Sequence, residues 1–270
     1  MKILIGTAGI PISTEERSTA SGIRKVRELG LHSMEVEFVR GVNMSPDKAS
    51  EIGRVQKETG IKLSVHAPYY INLCNPEKLK DSQKRIIDSA HRGHLMGAEV
   101  IVFHPGYYGK LGKEEAYDMV ESACREMAEV VEENGWNVRL GLETTGKVSQ
   151  FGTLEEILGI SRAVKVCIPV VDWAHLFAKY QGKIDFRKAL QKVTDAGYKS
   201  IHTHFSNIEF TDKGERRHLT LGHKQPDFEE VAKVILESGL REINLISESP
   251  AIEKDALIMK KMFEKLGHKF

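Results

Sequence analysis

Cysteine is scarce in this chain. Three in 270 residues (Cys74, Cys124 and Cys167) are too few and too scattered for a disulfide scaffold or a thiolate zinc cluster, which points to a reducing, cytoplasmic setting. An excess of either charge is also missing, since 39 Lys and Arg face 38 Asp and Glu for a formal charge of +1. That balance excludes a polybasic nucleic-acid binder and leaves room only for a local basic patch. No apolar run approaches the roughly 18 residues a membrane span needs. The opening stretch Met1-Lys2-Ile3-Leu4-Ile5-Gly6 reads as a strand without a signal-peptide design. There is no Gly/Ser/Pro linker, low-complexity tract or coiled-coil seam, so one domain over residues 1–270 and a monomer are expected. A hydrophobic share of 41% with 29% charged residues suits a soluble globular fold with an ample core.

What the chain has instead is a repeated punctuation. Gly30, Gly60, Gly97, Gly135, Gly197 and Gly239 each stand between a helical pattern and a β-rich run, where glycine's freedom to adopt the left-handed conformation makes a helix end. The runs that follow are 33–38, 62–67, 99–105, 137–144, 200–207 and 242–249, and the runs 2–7 and 165–173 bring the total to eight strands. Val120, Cys124, Met127 and Val131 mark one face of a helix, as do Leu154, Ile157, Leu158 and Ser161. Strands such as Val100-Ile101-Val102-Phe103 are continuously apolar, the mark of coverage on both faces. Strict alternation implies parallel strands with right-handed crossovers. Eight units of roughly 34 residues use the whole chain, which predicts an α/β fold, a single (β/α)8 TIM barrel. An open doubly wound sheet is the structural alternative.

A barrel of this kind builds its active site at the C-terminal ends of its strands. The predicted third to eighth strands end in Val65-His66-Ala67, Phe103-His104-Pro105, Leu142-Glu143-Thr144, Val171-Asp172-Trp173-Ala174-His175, His202-Thr203-His204 and Ser247-Glu248-Ser249. Six of the 11 histidines (His66, His104, His175, His202, His204 and His218) fall in these ends or in the loop after the seventh strand. Taken singly, a histidine here is more often structural, and Asp172 stands where a helix N-cap belongs. Taken together, imidazoles and carboxylates around one opening would be poorly satisfied without metal. The mixture favours zinc, with manganese and iron as alternatives. Glu143, Asp172, His204 and Glu248 make one candidate site, and His66 with His104 a second that Glu143 would bridge. Paired dications are the usual apparatus for splitting phosphate esters.

At these residues the chain resembles the endonuclease IV family of apurinic/apyrimidinic endonucleases, which are metal-dependent (β/α)8 barrels. The likeness runs in order through His66-Ala67-Pro68-Tyr69-Tyr70-Ile71-Asn72-Leu73, Phe103-His104-Pro105-Gly106, Leu142-Glu143-Thr144, Val171-Asp172-Trp173-Ala174-His175, His204-Phe205-Ser206-Asn207, His218-Leu219-Thr220-Leu221-Gly222 and Ile246-Ser247-Glu248. It implies two or three zinc ions: one on His66, His104 and Glu143, and one on Glu143, Asp172, His204 and Glu248. A third would take His175 and His218 with an aspartate two residues before the latter. Arg216 occupies that position, and arginine cannot ligate a metal. Two outcomes follow: Glu215 moves in as the carboxylate, or the third site is lost with Arg216 as a fixed positive charge. Asn207 likewise stands where the family often has an aspartate.

The resemblance implies hydrolysis on the 5′ side of an abasic site in double-stranded DNA, leaving a 3′-hydroxyl, with Glu143 and Glu248 orienting or deprotonating the water. Tyr69 and Tyr70 would fill or wedge the gap in the stack. Arg40, Arg216 and Arg217, with Lys110, Lys147 and Lys213, are candidate phosphate contacts. Two rivals stand beside this reading. A single-metal sugar isomerase or epimerase of the xylose-isomerase-like group would use Glu143, Asp172, His204 and Glu248 alone. A non-catalytic binding protein descended from the nuclease is suggested by Arg216.

Overall fold

The continuously apolar runs become strands because both faces are covered, and every residue of Val100–Phe103 is buried. In a computed structural model that describes residues 1–270, eight such strands lie parallel and close a barrel. They are β1 (Lys2–Ala8), β2 (Ser33–Glu37), β3 (Lys62–His66), β4 (Val100–Phe103), β5 (Arg139–Glu143), β6 (Cys167–Asp172), β7 (Ser200–Phe205) and β8 (Glu242–Ser247). Their order around the barrel is β1-β8-β7-β6-β5-β4-β3-β2. Register is unbroken from Lys2↔Glu242 to Thr7↔Ser247, and from Glu242↔Ser200 to Ser247↔Phe205. The (β/α)8 architecture expected from the sequence is the one observed.

Nine helices follow the strands: α1 (Thr19–Glu28), α2 (Pro46–Thr59), α3 (Leu79–Met96), α4 (Lys113–Glu133), α5 (Leu154–Ala163), α6 (Trp173–Lys179), α7 (Phe186–Asp195), α8 (Phe228–Glu237) and α9 (Glu253–Lys265). Val120, Cys124, Met127 and Val131 of α4 are buried, as are Leu154, Ile157, Leu158 and Ser161 of α5. All six punctuating glycines have positive φ, from 62° at Gly135 to 93° at Gly197, so each ends its helix as expected. Starts are set by side chains. Ser45 caps α2 ahead of Pro46, and Thr153 with Glu156 forms a reciprocal capping box on α5.

Two additions escape the alternation. A hairpin of Asn207–Thr211 and Gly214–Leu219 rises after β7, where the sequence suggests a loop, and a two-residue pair joins Gly106–Tyr107 to Gln150–Phe151. Backbone contacts group the chain into two compact units, one of Met1–Met34, Gly146–Val148 and Val171–Phe270, the other of Glu35–Thr145 and Ser149–Val170. No helix is long and apolar enough to cross a membrane.

Candidate metal centre

In the unit of Glu35–Thr145 and Ser149–Val170, the ends of three neighbouring strands bring His66, His104 and Glu143 together. Glu143 is fully buried, and its Oε2 lies 3.2 Å from His66 Nε2 and 2.8 Å from His104 Nε2. The two rings meet edge to face with centroids 5.5 Å apart. His66 Nδ1 sits 2.8 Å from the Ala67 carbonyl, to which it donates, so Nε2 is the atom turned to Glu143. Ligand atoms of all three residues lie within 4.8 Å of one another. Burial opposes a charge on His66, but the hydrogen bond to Glu143 and the carboxylates of Glu37, Glu143 and Glu35 prevail and raise its pKa to about 10. A positive charge is therefore favoured at this spot, and a dication suits the same donors.

Two carboxylates of this unit were not anticipated. Glu35 is fully buried and accepts from Ser64 Oγ at 2.6 Å, and Glu37 adds charge near His66. The alternation in Met34-Glu35-Val36-Glu37 places both on one face of β2, and that pattern could have revealed them. Above the trio the loops carry aromatic groups. Tyr69 and Tyr70 are 63% and 62% exposed, which excludes ordinary packing as their role, and the Tyr69 ring lies 6.1 Å from that of His66. Tyr69 N–H donates to the Val39 carbonyl at 3.1 Å, linking its loop to the one that bears the exposed Arg40. Asn72 Oδ1 accepts from the backbone of Cys74 and of Tyr107, both at 3.1 Å, which ties the Tyr loop to the segment after His104.

The other unit assembles the remaining candidates. Asp172 ends β6 and is the helix N-cap that the sequence allows. Its Oδ1 caps α6 by accepting from His175 N–H at 2.7 Å, and its Oδ2 lies 3.5 Å from His175 Nδ1. His204 Nδ1 lies 3.2 Å from Glu248 Oε1, and Asp172, His204 and Glu248 offer ligand atoms within 4.8 Å of one another. His175, His218 and Glu248 form another such group, with the two imidazoles edge to face at 5.2 Å.

The hairpin sets Arg216 and Glu215 in different positions. The hairpin pairs Ile208 with His218 and Glu209 with Arg217, then skips to Phe210 with Glu215. Arg216 is thus the extra residue of a β-bulge. Because the bulge shifts the strand's phase by one, Glu215 and His218 share a face although they are three apart. Glu215 approaches His175 Nε2 at 3.6 Å and His218 Nε2 at 3.8 Å. Each imidazole faces a different oxygen of that carboxylate, Oε2 for His175 and Oε1 for His218, while the carboxylate whose oxygen lies within 4.8 Å of both imidazoles' ligand atoms is that of Glu248. The His218 imidazole is also held from behind, its Nδ1 by Ser206 Oγ at 2.7 Å. Gly146 makes room, since a Cβ there would meet Glu215 Cβ at 2.6 Å and His175 Cδ2 at 3.0 Å. Arg216 and Arg217 turn away and pair with Glu209, both at 2.6 Å, with exposed side chains. Asn207 takes no part in the donor set. It is fully buried, donates from Nδ2 to the Pro226 carbonyl at 2.6 Å and accepts from Lys224 N–H at 2.7 Å, so it fastens the loop beyond the hairpin.

A parallel barrel with imidazole and carboxylate donors at its strand ends defines a class of metal-dependent barrel enzymes. The chain belongs to the xylose isomerase-like TIM barrel family, which it matches over residues 23–266. It is 38% identical over 98% of both chains to an uncharacterized protein of Methanocaldococcus jannaschii. It is also 32% identical to a probable endonuclease 4 of Acholeplasma laidlawii, over 76% of this chain and 74% of that one. Among solved structures, endonuclease IV of Thermus thermophilus superposes with a TM-score of 0.73 over 96% of this chain and 98% of that one, at 18% identity. A D-tagatose 3-epimerase-like protein has the same TM-score over 96% of both chains, at 22% identity. The relationship to endonuclease IV expected from the strand-end motifs is therefore found in the sequences as well.

Proposed function

We propose that this protein is a metal-dependent endonuclease of DNA repair, which hydrolyses the phosphodiester 5′ to an abasic site and leaves a 3′-hydroxyl. The observation that carries the reading is the surplus of donors: His66, His104 and Glu143 form one complete set, and the other unit adds His175, His218 and Glu215 to Asp172, His204 and Glu248. A single-metal sugar enzyme needs only one set. We assign the first ion to His66, His104 and Glu143, and the second to Asp172, His204 and Glu248 with Glu143 as the shared ligand. The third goes to His175, His218 and Glu215. The donors suit zinc, and manganese or iron would also be accepted.

Bound dications supply Lewis acidity toward the phosphoryl oxygens and lower the pKa of a coordinated water. The chain's own residues do the remaining work. Glu143 or Glu248 orients the attacking water and accepts its proton. Tyr69, whose ring lies beside that of His66, and the exposed Tyr70 next to it in sequence occupy the space left by the missing base. Arg40, Arg216 and Arg217, aided by Lys110, Lys147 and Lys213, hold the phosphates. The three cysteines are buried and free of disulfides, which suits action in the cytoplasm, and a monomer suffices because every assigned ligand comes from one chain.

Incision of a duplex with one abasic site tests the proposal, with cleavage abolished by chelator and by Glu143→Ala. The likeness to the D-tagatose 3-epimerase-like structure keeps one alternative in play, sugar epimerisation at Glu143, Asp172, His204 and Glu248. One metal per chain together with turnover of a ketose would decide for the epimerase, and two or three per chain with incision for the nuclease. Tight binding of the abasic duplex without cleavage would leave a binding protein.

A further inference from the structure

A set of polar groups buried beside His204 plays no part in the assignments above. Ser33, at the start of β2, donates from Oγ to Asn244 Oδ1 at 2.6 Å. Asn244, in β8, turns its Nδ2 to His202 Nδ1 at 3.1 Å. All three are buried, with exposures of 0%, 6% and 4%. Strands β2 and β8 are not neighbours, because β1 lies between them. Ser33 reaches across only because β1 contributes Gly6 there, where a Cβ would run into Ser33 Oγ and meet Ile246 Cδ1 at 2.7 Å. A serine, an asparagine and a glycine on three strands thus hold one imidazole.

The chain of donors fixes that imidazole's state. The Ser33 hydroxyl donates to Oδ1, so the amide of Asn244 presents its NH2 to His202. An amide N–H can only donate, so Nδ1 of His202 accepts and the ring proton lies on Nε2. His202 and His204 are two apart in β7 and share a face. Their rings meet nearly at right angles, 79°, with centroids 5.3 Å apart. We propose that His202 is a positioning residue: locked by Ser33 and Asn244, it braces the His204 ring in the rotamer that turns Nδ1 toward Glu248. The inference rests on the reading of His204 as a metal ligand. A ligating imidazole that loses its bracing typically loses 10–100-fold in metal affinity.

Two measurements test it on the full-length protein. In ¹⁵N-histidine-labelled, metal-free protein, His202 should show the Nε2–H tautomer, and Asn244→Asp should convert it to the Nδ1–H or doubly protonated form, because a carboxylate accepts where the amide donates. An Nδ1–H ring in the unaltered protein overturns the proposal. Cobalt(II) is the second probe, titrated by its visible absorption. Asn244→Leu and His202→Phe should weaken the ion at Asp172, His204 and Glu248 by about 10–100-fold and change its spectrum, with binding at His66 and His104 unaltered. His204→Ala is the reference. If it abolishes that ion while His202→Phe leaves affinity and spectrum intact, the positioning role is refuted and the metal reading survives. If His204→Ala changes nothing, both fall.

Discussion

Two of the donor groups are built by different means. His66, His104 and Glu143 stand at, or one residue beyond, the ends of β3, β4 and β5, three neighbours in the barrel. Strand period and barrel closure bring them together, and no local device is needed. His175, His218 and Glu215 come from the first turn of α6 and from a hairpin outside the barrel. They meet only because Asp172 caps the helix, a bulge resets the hairpin's phase, Ser206 holds His218 and Gly146 lacks a side chain. Strand-end ligands are fixed by the register of the barrel itself. A hairpin can move a ligand by one position and restore it with a bulge.

The largest expected effect comes from breaking the first group. Both His66 and His104 face Glu143, so Glu143→Ala takes from the two imidazoles the carboxylate they share. Incision of abasic DNA should fall by about 10³-fold or more, the scale of losing metal-ion and electrostatic catalysis together. Metal analysis should show at least one ion fewer per chain. An unaltered ion count would remove the trio from the metal site.

Breaking the second group should be milder. Glu215→Ala removes the carboxylate 3.6 Å from His175 Nε2 and 3.8 Å from His218 Nε2. One ion per chain should be lost and incision slowed by about 10–100-fold, with binding at His66 and His104 intact. Gly146→Ala should give the same pattern more weakly, because its Cβ would push Glu215 aside. Should Glu215→Ala retain every ion, Glu248 is the better third partner of His175 and His218.

The groups also differ in what they hold before metal arrives. The pKa of His66 rises from 6.5 to about 10, burial opposing the charge while Glu143, Glu37 and Glu35 favour it. Its folded value exceeds the unfolded one, so the stabilisation is complete below pH 6.5 and is lost as pH rises through about 10. Metal-free protein should therefore lose thermal stability between those limits, and protein with an ion on His66 should not. Loading zinc at pH 8 should release a proton from His66, measurable in weakly buffered solution. Identical pH profiles with and without metal would mean that no ion displaces this proton.

These contrasts explain what the sequence made legible. The barrel shows in the glycine punctuation because six of its helices end at a glycine of positive φ, and such sites recur with the repeating unit. His66, His104, Glu143, Asp172 and Glu248 showed because a barrel reads its chemistry at strand ends. Glu35 escapes a reading of strand ends because it lies inside β2, and Glu37 because the β-rich run 33–38 closes on Phe38 although the strand itself ends at Glu37. The hairpin reads as a loop in the sequence because Glu-Arg-Arg-His has no apolar alternation to mark a strand. The fate of Arg216 was undecidable from spacing, since a bulge is a property of pairing and becomes visible only when both strands are in place.

The smallest expected effect is the most discriminating. Deleting Arg216 removes the bulged residue and leaves Glu215 two positions before His218, the spacing the endonuclease IV resemblance calls for. The pairings Glu209↔Arg217 and Phe210↔Glu215 would then follow each other without a skip, and a regular strand keeps residues two apart on one face. Glu215 and His218 should stay on the same side, so metal content should be unchanged and incision altered by no more than about two- to three-fold, the loss of one phosphate contact. Arg216→Asp tests the same point from the other side. It restores an aspartate at the family position in sequence, yet the bulge keeps that side chain beside Glu209, so it should bring no ion and should weaken DNA binding. If deletion of Arg216 empties the His175 and His218 site while Arg216→Asp fills it, the bulge is not what brings Glu215 to the metal.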